Sequence, residues 1–143
     1  AFLKAIPAII RYPKGDEPEL PEPLKREGEM DVFRYGGNVI HWCLGTSISD
    51  ALTYSKKTDG VIDLRKAKPI DHNTLKKFSK NSSHWVVWED AQLIGGVGEA
   101  LSSFIAENNL DIKLTQMGYP DNFIGHGKTD NLKIENRREI NQT

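Results

Sequence analysis

From Trp85 to Trp88 the chain reads Trp-Val-Val-Trp, so apolar side chains fall on both faces of an extended segment. That pattern predicts a strand buried on both sides, as in a mostly parallel sheet covered by helices. After a glycine-bearing loop, Val97, Ala100, Leu101, Phe104 and Ile105 recur at helical spacing and predict an amphipathic helix against that sheet. Strand, loop and helix together point to the α/β class.

The rest of the chain repeats the theme. Met30 to Tyr35 alternates less cleanly, interrupted by Asp31 and Arg34, and reads as an edge strand, the first of the sheet. Gly36-Gly37-Asn38 reads as a turn, and Val39 to Leu44 as a second, interior strand. By local pattern these two strands pair as a hairpin. Gly45-Thr46-Ser47 then leads into a helix with Ser47 and Asp50 at capping-box spacing and Ile48, Ala51 and Leu52 on its inner face. Val61 to Leu64 is a third strand, and Asp71 is placed to cap a helix that buries Leu75 and Phe78. The Trp85 segment is the fourth strand and Ile112 to Met117 the fifth. Strands two to five alternate with helices, which predicts parallel pairing through right-handed crossovers. Beyond the loop Gly118 to Gly127, the tail from Lys128 is polar, with Leu132, Ile134 and Ile140 as apolar anchors, and reads as a weak helix or a partly disordered segment.

The N-terminal end differs in kind. Ala1 to Ile10 is largely apolar and runs into Ile9-Ile10-Arg11-Tyr12-Pro13-Lys14-Gly15, a short strand stopped by proline and glycine. Asp16 to Pro23 then holds three prolines and four carboxylates in eight residues, a composition suited to an extended linker, and a domain boundary is expected there.

Size and charge narrow the classes. A chain of 143 residues is expected to form one domain, and its start at Ala1 without methionine reads as a fragment or a processed product. The net charge of -1, with 27% charged residues mixed in sign, offers no basic stripe for nucleic acid. The longest apolar runs, Ala5 to Ile10 and Val39 to Leu44, are too short to span a bilayer, so a soluble protein is expected. The single Cys43 excludes an internal disulfide, and its place in a buried-strand pattern reads as an inert core thiol in a reducing compartment.

Candidate chemistry is sparse. His41, His72, His84 and His126 have no spacing that puts two on one helix turn, so no metal site is expected. Neither a Gly-x-Ser-x-Gly elbow nor a Walker loop is present. Gly95, Gly96 and Gly98 could bring a phosphate to a helix N-terminus, but six residues from Glu89 to Ile94 separate them from the strand, and tight packing is the favoured reading. Glu89 and Asp90 sit at the carboxyl end of the central strand. As neighbours they point to opposite faces and do not form one acid/base pair; Glu89 is expected to fix the glycine loop by hydrogen bonds. Arg11 follows two isoleucines, so its guanidinium is held at a strand end, where it suits bidentate phosphate recognition or an interdomain salt bridge. His126 reads as a loop-stabilising residue.

Five phrases fit one known pattern: Ile10 to Gly15, Val61-Ile62-Asp63-Leu64-Arg65 with Lys68-Pro69-Ile70-Asp71, Val86-Val87-Trp88-Glu89-Asp90, Gly95-Gly96-Val97-Gly98, and Gly118-Tyr119-Pro120-Asp121-Asn122-Phe123-Ile124 with His126-Gly127. In this order they resemble the C-terminal end of the 1-deoxy-D-xylulose-5-phosphate synthase family of transketolase-like thiamine diphosphate enzymes, over roughly Pro7 to Gly127. The chain departs from that pattern at Lys14, usually arginine, and at Ile6, commonly glycine.

The resemblance implies an α/β fold of three α/β/α layers, like a transketolase C-terminal domain, with a five-stranded mixed sheet whose first strand is antiparallel and lies beside the third. It implies that residues 1–24 are the end of a pyrimidine-binding domain and a linker, and that residues 25–143 are the C-terminal domain. It further implies a parent enzyme condensing pyruvate with glyceraldehyde 3-phosphate, with loss of carbon dioxide, to 1-deoxy-D-xylulose 5-phosphate for isoprenoid and cofactor synthesis. Thiamine diphosphate and Mg²⁺ would be held by upstream domains absent from this chain, so the chain alone is expected to be inactive. Arg11 matches the family arginine before Tyr-Pro that contacts the phosphate of the aldehyde substrate. The implied partners are the upstream thiamine-binding domains and a second copy of the parent in a homodimer, in the cytoplasm or a plastid-type organelle. The alternatives are the equivalent domain of a transketolase or of a 2-oxo acid dehydrogenase β subunit, and a free-standing assembly module of the same fold.

Overall fold

The computed structural model describes residues 7–10 and 19–142. Seven strands and four helices follow in the order β1 (Lys25–Glu27), β2 (Met30–Arg34), β3 (Val39–Cys43), α1 (Ser47–Tyr54), β4 (Gly60–Asp63), α2 (His72–Ser79), β5 (His84–Gln92), α3 (Val97–Glu107), β6 (Lys113–Tyr119), α4 (Thr129–Asn136) and β7 (Arg138–Gln142). They build one sheet of order β1-β2-β4-β3-β5-β6-β7.

The four interior strands β4, β3, β5 and β6 are parallel, as the alternation with helices predicts. In β5, Trp85, Val86, Val87 and Trp88 are all buried, as a strand covered on both faces requires. On one face Ile40, Trp42, Ile62, Trp85, Val87 and Leu114 pack against Leu75 of α2 and Val97, Leu101 and Phe104 of α3. Trp42 meets the Trp85 ring edge-on at 5.0 Å, which adds a specific aromatic contact to the burial. On the other face Cys43, Val61, Val86 and Trp88 pack against Ile48 and Ala51 of α1. Burial pushes the Cys43 thiol well above its ordinary range, so this cysteine is an inert core residue.

That second face also encloses polar groups. Trp88 Nε1 donates to His41 Nδ1 at 2.8 Å, so the His41 proton sits on Nε2, 3.3 Å from Asp59 Oδ2. Burial lowers the His41 pKa in spite of Asp59, which keeps the imidazole neutral and able to accept from Trp88.

The expected first strand, β2, is antiparallel to β4, the third strand of the sequence reading, as the family resemblance implies. The hairpin suggested by local pattern is not formed. The chain leaves β2 and crosses the amino end of β4 instead, where a Cβ on Gly36 would lie 1.8 Å from Gly60 N.

Two further corrections concern the sheet edges and one helix start. The sheet has seven strands rather than five: β1 pairs with β2 and β7 pairs with β6, both antiparallel. The polar tail therefore forms a helix and an edge strand, because an edge strand needs main-chain partners more than apolar side chains. Ser47 does not cap α1. Its hydroxyl lies 2.7 Å from the Trp88 carbonyl and accepts from Leu44 N–H at 3.1 Å, tying the α1 entry to β5. Asp71 caps α2 as its position suggests, accepting from Asn73 N and Thr74 N at 3.1 Å each.

Candidate functional site

Open α/β sheets keep their ligands at the carboxyl ends of the strands. Here that edge carries Asp63 from β4, Glu89 and Asp90 from β5 and Tyr119 from β6.

Glu89 is 2% exposed and turns toward α3, whose N-cap residue Gly96 brings no side chain of its own. Its Oε2 accepts from Val97 N at 2.8 Å and its Oε1 from Gly98 N at 3.1 Å. The carboxylate thus occupies the position a phosphate would take at this helix N-terminus, and the phosphate reading of the glycine loop is overturned. A Cβ on Gly96 would come 2.4 Å from Glu89 Oε2, so this glycine makes room for the carboxylate. Burial raises the Glu89 pKa against the pull of the two amides.

Asp90 points to the opposite face, as neighbours on a strand must. There Asp50 of α1 holds two cations, Lys133 Nζ from α4 at 3.2 Å and Arg137 Nη1 from the extended residue that follows the helix at 2.6 Å. The Arg137 guanidinium lies 5.7 Å from the ring centroids of both Trp88 and Tyr119, with Nη2 3.9 Å from Asp90 Oδ1. Burial, with Asp90 nearby, pushes the Tyr119 phenol up to about 12, so it stays a neutral hydroxyl. Beside this cluster opens a cavity of about 460 Å³, walled by Tyr54, Trp88, Met117 and Ile134 with Asp50, Lys133 and Arg137. Sequence reasoning missed Asp50, Lys133 and Arg137 as partners, since 83 and 87 residues separate them. The available signal was the i, i+4 spacing of Lys133 and Arg137 about the end of a helix, where the Arg137 N–H still bonds to the Lys133 carbonyl.

Asp63, at the end of β4, accepts from Arg65 N at 2.8 Å. Burial and the nearby Asp31 raise its pKa from 3.8 to about 6. A carboxyl raised on folding adds stability that is present below its unfolded value and is lost as pH climbs through about 6. Asp63→Asn keeps the acceptor for Arg65 and removes the charge. We expect it to be more stable than wild type at pH 8 by about 1 kcal/mol, after discounting for solvent screening, and to flatten urea-midpoint profiles between pH 4 and 6. An unchanged pH slope in that variant would put the titration elsewhere.

The remaining candidates do not gather into this edge. His41 is the buried partner of Trp88 and Asp59, and His72 packs against Phe104. His126 is exposed, without a hydrogen-bond partner among the described residues, so the loop-stabilising role has no contact to carry it. Arg11 lies outside the described residues. Among the described residues no group of three or more His, Cys, Asp or Glu is placed to hold a metal ion, and no helix is long and apolar enough to cross a membrane.

The model of the transketolase C-terminal domain family matches residues 39–136. The 1-deoxy-D-xylulose-5-phosphate synthase of Pseudomonas aeruginosa (strain LESB58) is 30% identical over 135 residues, which are 90% of this chain and 21% of that protein. The synthase of the same name from Pseudomonas savastanoi pv. phaseolicola is 31% identical over 140 residues, 94% of this chain and 22% of that protein. That of Nitrosococcus oceani is 30% identical over 136 residues. The chain therefore spans about a fifth of the length of the curated relatives it matches. Among solved structures, one described as a split gene transketolase, inactive beta4 tetramer, superposes with a TM-score of 0.72 at 26% identity, over 83% of this chain and 41% of that one.

Proposed function

The chain belongs to the transketolase C-terminal domain family, and from that premise we propose that it is the C-terminal part of a 1-deoxy-D-xylulose-5-phosphate synthase. The parent condenses pyruvate with glyceraldehyde 3-phosphate and releases carbon dioxide. The observation that carries this reading is the 30–31% identity to synthases of that name over nine-tenths of the chain or more. In this reading residues 1–24 are the end of the preceding pyrimidine-binding domain and its linker, and residues 25–143 support the catalytic domains and the homodimer.

Thiamine diphosphate and Mg²⁺ supply the decarboxylating chemistry of such an enzyme when bound. The described residues do not fit the diphosphate, because the Val97 and Gly98 amides at the α3 N-terminus are already bonded to Glu89. We assign the cofactor to the upstream domains, and expect this chain by itself to be inactive. Its own contribution to substrate is Arg11, whose fork of donors suits two oxygens of the aldehyde's phosphate. Assembly is the second duty, favoured by the solved neighbour described as an inactive tetramer of a split-gene transketolase.

The test is steady-state kinetics of the intact parent. Arg11→Ala is expected to raise KM for glyceraldehyde 3-phosphate at least about tenfold while leaving that for pyruvate within about twofold, the mark of a lost contact to one substrate. Unchanged kinetics would remove Arg11 from the substrate and leave assembly as the duty of this domain.

A further inference from the structure

The cavity between α1, α4 and the end of β5 lies on the face of the sheet opposite Glu89, and nothing in the proposed function uses it. Its chemistry is set by Arg137. The Arg137 side chain is 9% exposed, and its Nη1 is taken by Asp50 at 2.6 Å. Its Nε and Nη2 are buried and have no hydrogen-bond acceptor, since Asp90 Oδ1, at 3.9 Å from Nη2, is beyond hydrogen-bond reach. Nε and Nη2 form one edge of the guanidinium, two parallel N–H donors spaced to meet both oxygens of one carboxylate. A buried donor left unpaired is costly, so this edge is primed for an acceptor.

The surroundings narrow the acceptor. Lys133 and Arg137 are balanced locally by Asp50 and Asp90, so the cluster holds no surplus positive charge: the unpaired fork can offset one added negative charge, and a dianion would be opposed. The walls are apolar and flat: the Tyr54 and Trp88 rings stack at 9° with centroids 6.1 Å apart, and Met117 and Ile134 also line the space. A volume of about 460 Å³ is within the range of small-molecule sites. We propose that this cavity binds a small, flat monocarboxylate, its carboxylate held side-on by Arg137 and its apolar body against Trp88 and Tyr54.

The test uses the 143-residue chain with labelled Met117 and Ile134 methyl groups, titrated with benzoate, benzyl alcohol and inorganic phosphate. Benzoate is expected to shift both methyl signals saturably, with benzyl alcohol at least about tenfold weaker for want of the charge-assisted fork, and phosphate without effect. Arg137→Lys keeps the charge and loses the fork, and is expected to weaken benzoate at least about tenfold. Tyr54→Ala removes a ring that is 70% exposed, leaves every ion pair in place, and is expected to weaken benzoate several-fold even if the arginine variant fails to fold. Absence of saturable shifts up to about 10 mM benzoate, or binding by phosphate or benzyl alcohol as tight as by benzoate, would overturn the proposal.

Discussion

Replacing Glu89 by alanine is expected to cost about 2 kcal/mol of stability, a fall of roughly 7 °C in Tm for a chain of this size. The carboxylate satisfies two of the amides that open α3, Val97 N and Gly98 N, in a place 2% exposed to water. Alanine leaves both donors buried with no replacement, because Gly96 has no side chain to cap the helix. Part of the loss is offset, since burial makes the ionised carboxyl unfavourable and raises its pKa. That offset carries a sign. With the folded pKa raised, the stabilisation is greatest below the ordinary glutamate value and declines as pH climbs through the raised one. Glu89→Gln, isosteric and uncharged, should lose that slope while retaining one acceptor, and should fall between alanine and wild type in Tm. Hydrogen exchange supplies the local check: the Val97 and Gly98 amides should lose protection first in the alanine variant. A Tm within about 2 °C of wild type, with those amides still protected, would mean that the cap carries little weight.

What could be read from the chain divides by the range of the forces involved. The double-faced burial of Trp85 to Trp88, the inert Cys43 and the Asp71 cap follow from residues close in sequence, and each is found as read. The role of Glu89 as the brace of its glycine loop was legible for the same reason, with donor and acceptor eight or nine residues apart. Ser47 shows where locality misleads. Its spacing to Asp50 fits a capping box, yet its hydroxyl goes to the Trp88 carbonyl 41 residues away and Asp50 goes to α4. β7 was hidden because Arg-Glu-Ile-Asn-Gln offers almost no apolar pattern, and what pairs it with β6 is main chain, which every sequence possesses. The cavity cluster is assembled by α4 reaching back to α1, a contact no periodicity encodes. The place of β2 beside β4 came from family resemblance, since local pattern favoured the nearer partner.

The glycine that permits that crossing should therefore be far less replaceable than its neighbour. Gly36 and Gly37 look equivalent in the sequence, as two residues of one turn. In the fold, an added Cβ at Gly36 would sit 1.8 Å from Gly60 N, 2.4 Å from the Asp59 carbonyl carbon and 2.6 Å from Gly60 Cα, all backbone atoms that cannot rotate aside. The chain has to pass that close, because β2 ends against the start of β4, with Arg34 opposite Val61, and β3 begins on the other side of β4. Gly36→Ala must push the two segments apart and disturb the β2 to β4 pairing, at an expected cost of about 3 kcal/mol. At Gly37 a Cβ meets nothing within 4 Å, so Gly37→Ala is expected to be neutral or to stabilise by up to about 1 kcal/mol through the unfolded chain. Urea denaturation of the two variants side by side measures the difference. Equal midpoints would indicate that β2 does not cross the amino end of β4 at Gly36, and would return the hairpin as the better account of this turn.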